Sequence, residues 1–208
     1  MEVYEAIAAR KTIRDFAPKE IPAKVIEKII AAGFKAPSNN HMRDWHFVLL
    51  QDKSRRRELL DQVIHPTDEK GARRIVNRWG LTDESQRQMY IDAIPKQYGM
   101  LYNAACLILP CFSQPSPLLK PRDLSALNPF ASIWCCVENI LVAAAAEGIF
   151  GVTRIPFEAE RKTLKSYLNI PADYEIPCYI ALGYPAETAQ RAGQLEIDPR
   201  DRIHTNGW

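Results

Sequence analysis

The amino-acid sequence predicts an α+β fold formed by one domain that covers residues 1–208. The length suits a single core of ordinary size, because 47% of the 208 residues are hydrophobic. Apolar residues at helical spacing open the chain, and short runs of β-branched and aromatic residues come later. Helices and strands do not alternate regularly, as they would in a doubly wound parallel sheet, and this order favours α+β.

Each element follows from hydrophobic periodicity and from the residues that interrupt it. Helices are predicted over about 3–9, from Pro22 to the break at Pro37, from Lys53 onward, over 131–147 and over 158–168. Strands are predicted over 45–50, 104–109 and 176–182. The helix over 131–147 is the most apolar, which is typical either of a central helix or of a subunit contact. The polar stretch over about 66–100 indicates a helical insertion or lid.

Charge and cysteine usage argue against several classes of function. The net charge is +2 and the basic residues are spread along the chain, so we expect no nucleic-acid partner. The run Arg55, Arg56 and Arg57 is predicted to be the exposed face of a helix rather than a binding patch. Neither a signal-peptide pattern nor a run of about 18 apolar residues is found, and we therefore expect a cytoplasmic protein without a membrane span.

The cysteines and histidines do not predict a metal site or a disulfide framework. The five cysteines lie in apolar surroundings, which is typical of buried thiols. Neither they nor the four histidines have the spacing of metal ligands. The glycine-rich motifs of nucleotide-binding folds, the serine hydrolase elbow and the zinc motif HExxH do not occur. The usual nucleotide, hydrolase and metalloenzyme hypotheses therefore have no support.

A basic cluster near the N-terminus predicts an anion site. Arg10, Lys11 and Arg14 lie within five residues, and Thr12 adds a hydroxyl. A phosphate monoester suits this set, because the planar fork of an arginine matches the phosphate oxygens. Taken alone, the cluster is also compatible with a solvated surface near a helix end.

A polar loop over 36–45 is the second candidate element. It holds amide, hydroxyl, imidazole and guanidinium groups between a helix and a strand, and loops in such positions often carry function. Pro, Ser and Asn also terminate helices, so a simple turn is the alternative. A simple turn does not require Asn39, Asn40, His41 and Arg43 together.

These residues resemble the nitroreductase superfamily of FMN enzymes. Arg-Lys-Thr-Ile-Arg-Asp-Phe at 10–16, followed by Ala-Pro-Ser at 36–38 and by Trp45, is similar to the start of that family. The segments 148–157 and 181–187 resemble its flavin-adjacent segment and its last core strand. The resemblance implies an α+β fold with a central, mostly antiparallel sheet flanked by helices in an intertwined homodimer. It also implies two FMN sites at the subunit interface, each built from both chains, and a nicotinamide that binds only transiently.

The resemblance further implies roles for individual residues. Arg10, Lys11 and Thr12 would hold the FMN phosphate and ribityl end, and Arg14 would face the pyrimidine side of the ring. Pro37, Ser38, Asn39 and His41 would reach the flavin from the partner subunit. Ile155 and Pro156 would place backbone near the flavin N5, where only Ile155 has an N–H to donate. A late basic residue would reach the phosphate, with Arg191 as the candidate and Arg200 and Arg202 behind it.

Two departures from the family pattern concern the acceptor pocket. Many relatives have Asn and Gln-Pro where this chain has His41 and Arg43-Asp44. His41 is predicted either to bond flavin or substrate or to stabilise the loop, and Arg43 either to pair with Asp44 or to bind an anionic substrate.

We expect a cycle in which NADH or NADPH reduces FMN and an electron-poor acceptor, such as a nitroaromatic or a quinone, is then reduced. The alternatives are another reaction of the superfamily, such as reductive dehalogenation, an FMN storage or sensing protein, and a scaffold without flavin.

Overall fold

The computed structural model describes residues 1–190 and 196–208. The helices are α1 (Val3–Ala9), α2 (Ala23–Gly33), α3 (Lys53–Val63), α4 (Glu69–Arg78), α5 (Glu84–Ala93), α6 (Gln97–Asn103), α7 (Asn128–Ala146) and α8 (Glu158–Tyr167). The strands are β1 (Trp45–Leu49), β2 (Cys106–Ser113), β3 (Phe150–Arg154), β4 (Tyr174–Glu175) and β5 (Tyr179–Gly183). The α+β prediction is confirmed, and β3 and β4 are strands that the sequence did not predict.

The sheet is antiparallel and has the order β1-β2-β5-β3, with β4 paired to the end of β2. Val48 lies opposite Leu109, and Ile108 lies opposite Ile180. Almost every residue of β2 is buried, because both faces of this central strand are covered by helices. This double burial explains why β2 has an uninterrupted apolar sequence rather than an alternating one.

Two hydrophobic cores lie on the two faces of the sheet. On one face Cys106, Ile108 and Phe112 of β2 pack with residues of α2 and α7. On the other face Leu107 and Leu109 pack with residues of α3, α6 and α8. The alternation along β2 thus divides its side chains between the two cores.

Helix α7 is the central helix of the first core. Ile133, Val137 and Ile140 are buried in it, while Trp134 and Leu141 are only partly buried. The segment Leu124–Ala146 is also long and apolar enough to cross a membrane by length and composition alone, with a mean hydropathy of 1.5. Only 39% of that apolar window is buried within this chain, so much of the helix surface remains uncovered.

The segment over 66–100, for which the sequence predicts a helical insertion or lid, contains α4, α5 and the start of α6. Helices α4 and α5 begin at Asp68 and Asp83, whose carboxylates accept hydrogen bonds from backbone N–H groups of the first turn. The two helices share a small core of their own, in which Val76 and Ile91 are buried. A separate core of this kind suits a lid, and the role itself stays a prediction.

Arg56 contradicts the prediction of a solvent-exposed basic run. Its side chain is 0% exposed, and its guanidinium donates to the carbonyl oxygens of Leu50, Tyr102 and Ala104. Burial lowers the pKa of Arg56 from its ordinary value. Arg55 and Arg57 are exposed as expected, so the middle residue alone turns inward to bond carbonyls at the ends of β1 and α6.

Candidate active site

The segment that carries the basic cluster is attached to the edge of the sheet. After α1 ends, the Ile13 N–H donates to the Gly151 carbonyl oxygen at 3.1 Å, and the Ala17 N–H donates to that of Tyr184 at 2.8 Å. Ile13 is buried and anchors the segment. Two hydrogen bonds and one apolar anchor therefore fix the backbone from which the predicted phosphate ligands project.

Three of the four predicted cluster residues line one cavity of about 160 Å³. This first cavity is formed by Arg10, Lys11 and Thr12, by Trp134, Val137, Glu138 and Leu141 of α7, and by Phe150, Gly151, Val152 and Thr153 of β3. Within the described residues, the backbone N–H groups of Lys11 and Thr12 have no protein acceptor. Unpaired N–H groups beside two cations form a donor set that fits an anion.

Arg14 lies outside the lining of the first cavity. It is half-buried, and burial lowers its pKa, while the neighbouring Asp92 and Asp15 partly offset this effect. Lys96 bonds both carboxylates at 2.9 Å, and Asp92 belongs to α5 of the insertion. Arg14 is thus placed where the basic segment meets the insertion.

The polar loop lines a second cavity of about 400 Å³. Its lining comprises Ser38, Asn39, Asn40, Met42, Arg43, Asp44 and Trp45 of the loop, Phe112, Ser113 and Pro115 near the end of β2, and Pro129 and Ser132 of α7. The Asn39 N–H donates to Ser132 Oγ at 3.1 Å, and the Arg43 N–H donates to Ser38 Oγ at 3.3 Å. Pro37 and His41 are part of the loop but do not line this cavity.

Two residues of the loop have left-handed backbone conformations. His41 has φ 57° and Arg43 has φ 48°. Each such residue costs about 1–2 kcal/mol when it carries a side chain, and strain of this kind collects at functional sites. The His41 ring has no hydrogen-bond partner among the described side chains and backbone groups. The side chain is exposed.

Arg43 does not pair with Asp44, which was one of the two interactions predicted for its side chain. Its Nε donates to the Ala36 carbonyl oxygen at 3.3 Å. Asp44 instead accepts a hydrogen bond of 2.6 Å from the Tyr174 hydroxyl, and this bond raises the pKa of Tyr174 to about 12. Each of the two neighbouring side chains therefore has its own partner, and sequence adjacency does not give a pair.

The segment after β3 is held by a buried ion pair. Both terminal nitrogens of Arg154 donate to the Glu160 carboxylate at 2.6 Å, and each side chain is only 9% exposed. Arg154 Nε also donates to Gln97 Oε1 at 2.9 Å. Between the two charged residues lies Ile155, which is 63% exposed and whose N–H has no acceptor among the described residues. Pro156 is buried.

The predicted site residues therefore fall in separate places on one chain. None of the described residues lines both cavities. Arg191, the candidate for the late phosphate contact, lies outside the described residues, and Arg200 pairs with Asp198 at the surface. No group of three His, Cys, Asp or Glu side chains in the described part of the chain could hold a metal ion.

Sequence reasoning did not identify Glu138, Arg154 and Glu160. Glu138 could have been identified from the sequence, because it is the one charged residue between Asn128 and Ala146. A charge within an apolar helix indicates a polar partner or a ligand. Arg154 and Glu160 could not be identified in this way, since no local sequence pattern shows that a strand and the following helix fold back on each other.

Comparison with known proteins agrees with this geometry. The sequence pattern of the nitroreductase family matches residues 7–184. A provisionally named NADH dehydrogenase/NAD(P)H nitroreductase of Methanothermobacter thermautotrophicus is 28% identical over 219 aligned positions, which cover 100% of this chain and 88% of the relative. The iodotyrosine deiodinase of Nematostella vectensis is 26% identical, over 91% of this chain and 69% of its own length.

A solved structure shows the same fold. Iodotyrosine deiodinase bound to FMN and 3-iodo-L-tyrosine superposes with a TM-score of 0.71 over 100% of both chains, at 17% identity. Because the family model covers most of the sequence, this chain belongs to the nitroreductase family.

Proposed function

We propose that this protein is an FMN-dependent oxidoreductase that passes hydride from NADH or NADPH to an electron-poor acceptor such as a nitroaromatic or a quinone. The observation that carries the proposal is the first cavity, which Arg10, Lys11 and Thr12 line beside β3, and where the Lys11 and Thr12 N–H groups have no acceptor among the described residues. This donor set fits the phosphate of FMN. Bound FMN supplies the hydride chemistry, for which protein side chains have no equivalent.

The residues of the chain bind and orient the flavin. Arg10, Lys11 and Thr12 hold the phosphate and the ribityl end. With FMN bound, the N–H of Ile155, which has no acceptor among the described residues, would donate a hydrogen bond to the flavin ring, and the ion pair of Arg154 with Glu160 holds the backbone next to it. Solvent delivers protons, so no side chain is required as a general acid or base.

We further propose a homodimer in which each flavin is held by two chains. The predicted contacts are divided between two cavities of one chain, and a second copy brings Ser38 and Asn39 to the first cavity of its partner. Helix α7 supports this arrangement, because Trp134 and Leu141 lie only partly buried on a largely apolar helix. A twofold pair of chains covers the same surface on both copies.

Reductive dehalogenation is the second candidate reaction. It is favoured by the 26% identity to an iodotyrosine deiodinase over 91% of this chain. The relative named for NAD(P)H nitroreductase activity favours the first reaction. The two reactions share the flavin site and differ in what must fit over the ring, so the acceptor pocket decides between them.

The first test is a visible absorption spectrum of the purified protein after addition of FMN and desalting, followed by anaerobic NADH and NADPH. Flavin bands that bleach with a nicotinamide, and recover with a nitroaromatic or a quinone, support the proposal. Recovery with 3-iodo-L-tyrosine and release of iodide favour dehalogenation. Bound flavin that neither nicotinamide bleaches points to storage or sensing, and failure to retain FMN contradicts the proposal.

The phosphate assignment is tested separately with Arg10→Ala. We expect FMN affinity to fall at least about tenfold, because a charged hydrogen bond to phosphate is lost. Riboflavin, which lacks the phosphate, serves as the control ligand and should bind the variant as it binds the wild type. Unchanged FMN affinity would show that the phosphate lies elsewhere.

A further inference from the structure

A carboxylate residue lines the cavity that is assigned to the flavin phosphate. Glu138 lines the first cavity together with Arg10, Lys11 and Thr12. Its neighbours on the same face of α7 are Trp134, Val137 and Leu141, so this helix contributes apolar surface and a single negative charge. A negative carboxylate repels a bound phosphate, so it weakens the binding of that group.

The carboxylate already occupies one edge of the arginine that is expected to bind the phosphate. Glu138 Oε1 lies 3.2 Å from Arg10 Nε, and the side chains are 56% and 27% exposed. The closest contact is through Nε, and the guanidinium has further N–H donors that a second anion can use. An anion bound there faces Glu138 across a single guanidinium.

We propose that Glu138 determines the flavin specificity of this site by opposing the phosphate of FMN. The inference rests on the proposed function, since it concerns the same flavin. Arg10 and Lys11 attract the phosphate, and Glu138 cancels part of that attraction. The chain therefore prefers FMN over riboflavin less strongly than its two cations alone would dictate.

Charge, rather than the orientation of Arg10, dominates this effect. A partly exposed ion pair contributes little to holding a side chain in place. Glu138→Gln keeps the size and polarity of the side chain beside Arg10 while the charge is removed. For a phosphate with nearly two negative charges on the far side of one guanidinium, removal of the opposing charge should tighten binding about fivefold at low salt.

The experiment measures dissociation constants of FMN and riboflavin for three forms of the full chain by flavin fluorescence. These forms are the wild type, Glu138→Gln and the control Glu147→Gln. The control removes the same charge just beyond the end of the same helix, where Glu147 pairs with Lys28 at 2.6 Å. We expect FMN to bind Glu138→Gln about fivefold more tightly in 10 mM salt and riboflavin to bind all three forms alike. The FMN gain should shrink toward unity at 1 M salt.

Three results would overturn the inference. These are unchanged or weaker FMN binding by Glu138→Gln, an equal change for FMN and riboflavin, and an equal FMN gain in Glu147→Gln. If the wild type binds flavin but Glu138→Gln shows none of these charge effects, this inference is refuted and the proposed function stands. A wild type that binds no flavin refutes the proposed function, and the inference with it.

Discussion

The ion pair between Arg154 and Glu160 offers the sharpest test of how the site is held. In Glu160→Gln the Arg154 guanidinium keeps its charge but loses its only carboxylate partner among the described residues, at a position that is 9% exposed. Removing one partner of a buried pair typically costs about 3–5 kcal/mol. The remaining hydrogen bonds to Gln97 and to the new amide favour the lower end, so we expect a loss of about 3 kcal/mol.

The assay is urea unfolding of the flavin-free protein, followed by circular dichroism, with the free energy of unfolding extrapolated to water. Glu69→Gln is the matched control, because Glu69 pairs with Arg73 at 2.6 Å on the exposed surface of α4. That variant should lose less than about 0.5 kcal/mol. A loss below about 1 kcal/mol in Glu160→Gln would refute the reasoning, since the pair would then not behave as a buried one.

The remaining predictions concern the polar loop over 36–45 and its contact with Tyr174. His41→Gly should raise stability by up to about 1 kcal/mol in a thermal melt, because glycine adopts the left-handed backbone of φ 57° without strain, whereas Met42→Gly should lower it. Equal losses in both would show that the His41 side chain stabilises the loop. The hydrogen bond to Asp44 raises the pKa of Tyr174 to about 12, so its stabilising effect is complete below pH 10 and is lost between pH 10 and about 12. Absorbance at 295 nm should follow this ionisation, and in Asp44→Ala it should shift toward pH 10; no shift would contradict the assignment.

The elements that could be predicted from sequence are those whose pattern is local. Helix α2 shows an apolar stripe that Pro22 introduces, and α3 begins at Asp52, whose carboxylate accepts hydrogen bonds from the first turn. The central strands β2 and β5 are continuous apolar runs because helices cover both of their faces. Strand β3, which pairs with β5, was missed, since Phe150 to Arg154 is short and follows a helix with only a brief turn between them. Its identity as a strand depends on pairing with β5, which is a distant contact.

The buried Arg56 illustrates a limit of periodicity arguments. A run of three arginines on a helix has the composition of a solvated face, and two of the three are solvated. The third is buried because the carbonyl oxygens of Leu50, Tyr102 and Ala104 converge there. That convergence arises only when the ends of β1 and α6 meet. The cost of burying the charge is offset by hydrogen bonds that the sequence cannot reveal.

The candidate site was predictable in its parts but not in its arrangement. The basic cluster and the polar loop could be named from residue chemistry, because each is a short local sequence. Their positions could not, since one chain places them in two different cavities that share α7 as a wall. Helix α7 contributes Ser132 to one cavity and Glu138 to the other, so the same helix that organises the first core also determines the polarity of both sites. A change of charge at Glu138 should therefore alter flavin binding without altering the fold, whereas a truncation of buried Ile133 or Ile140 should lower the stability of the fold.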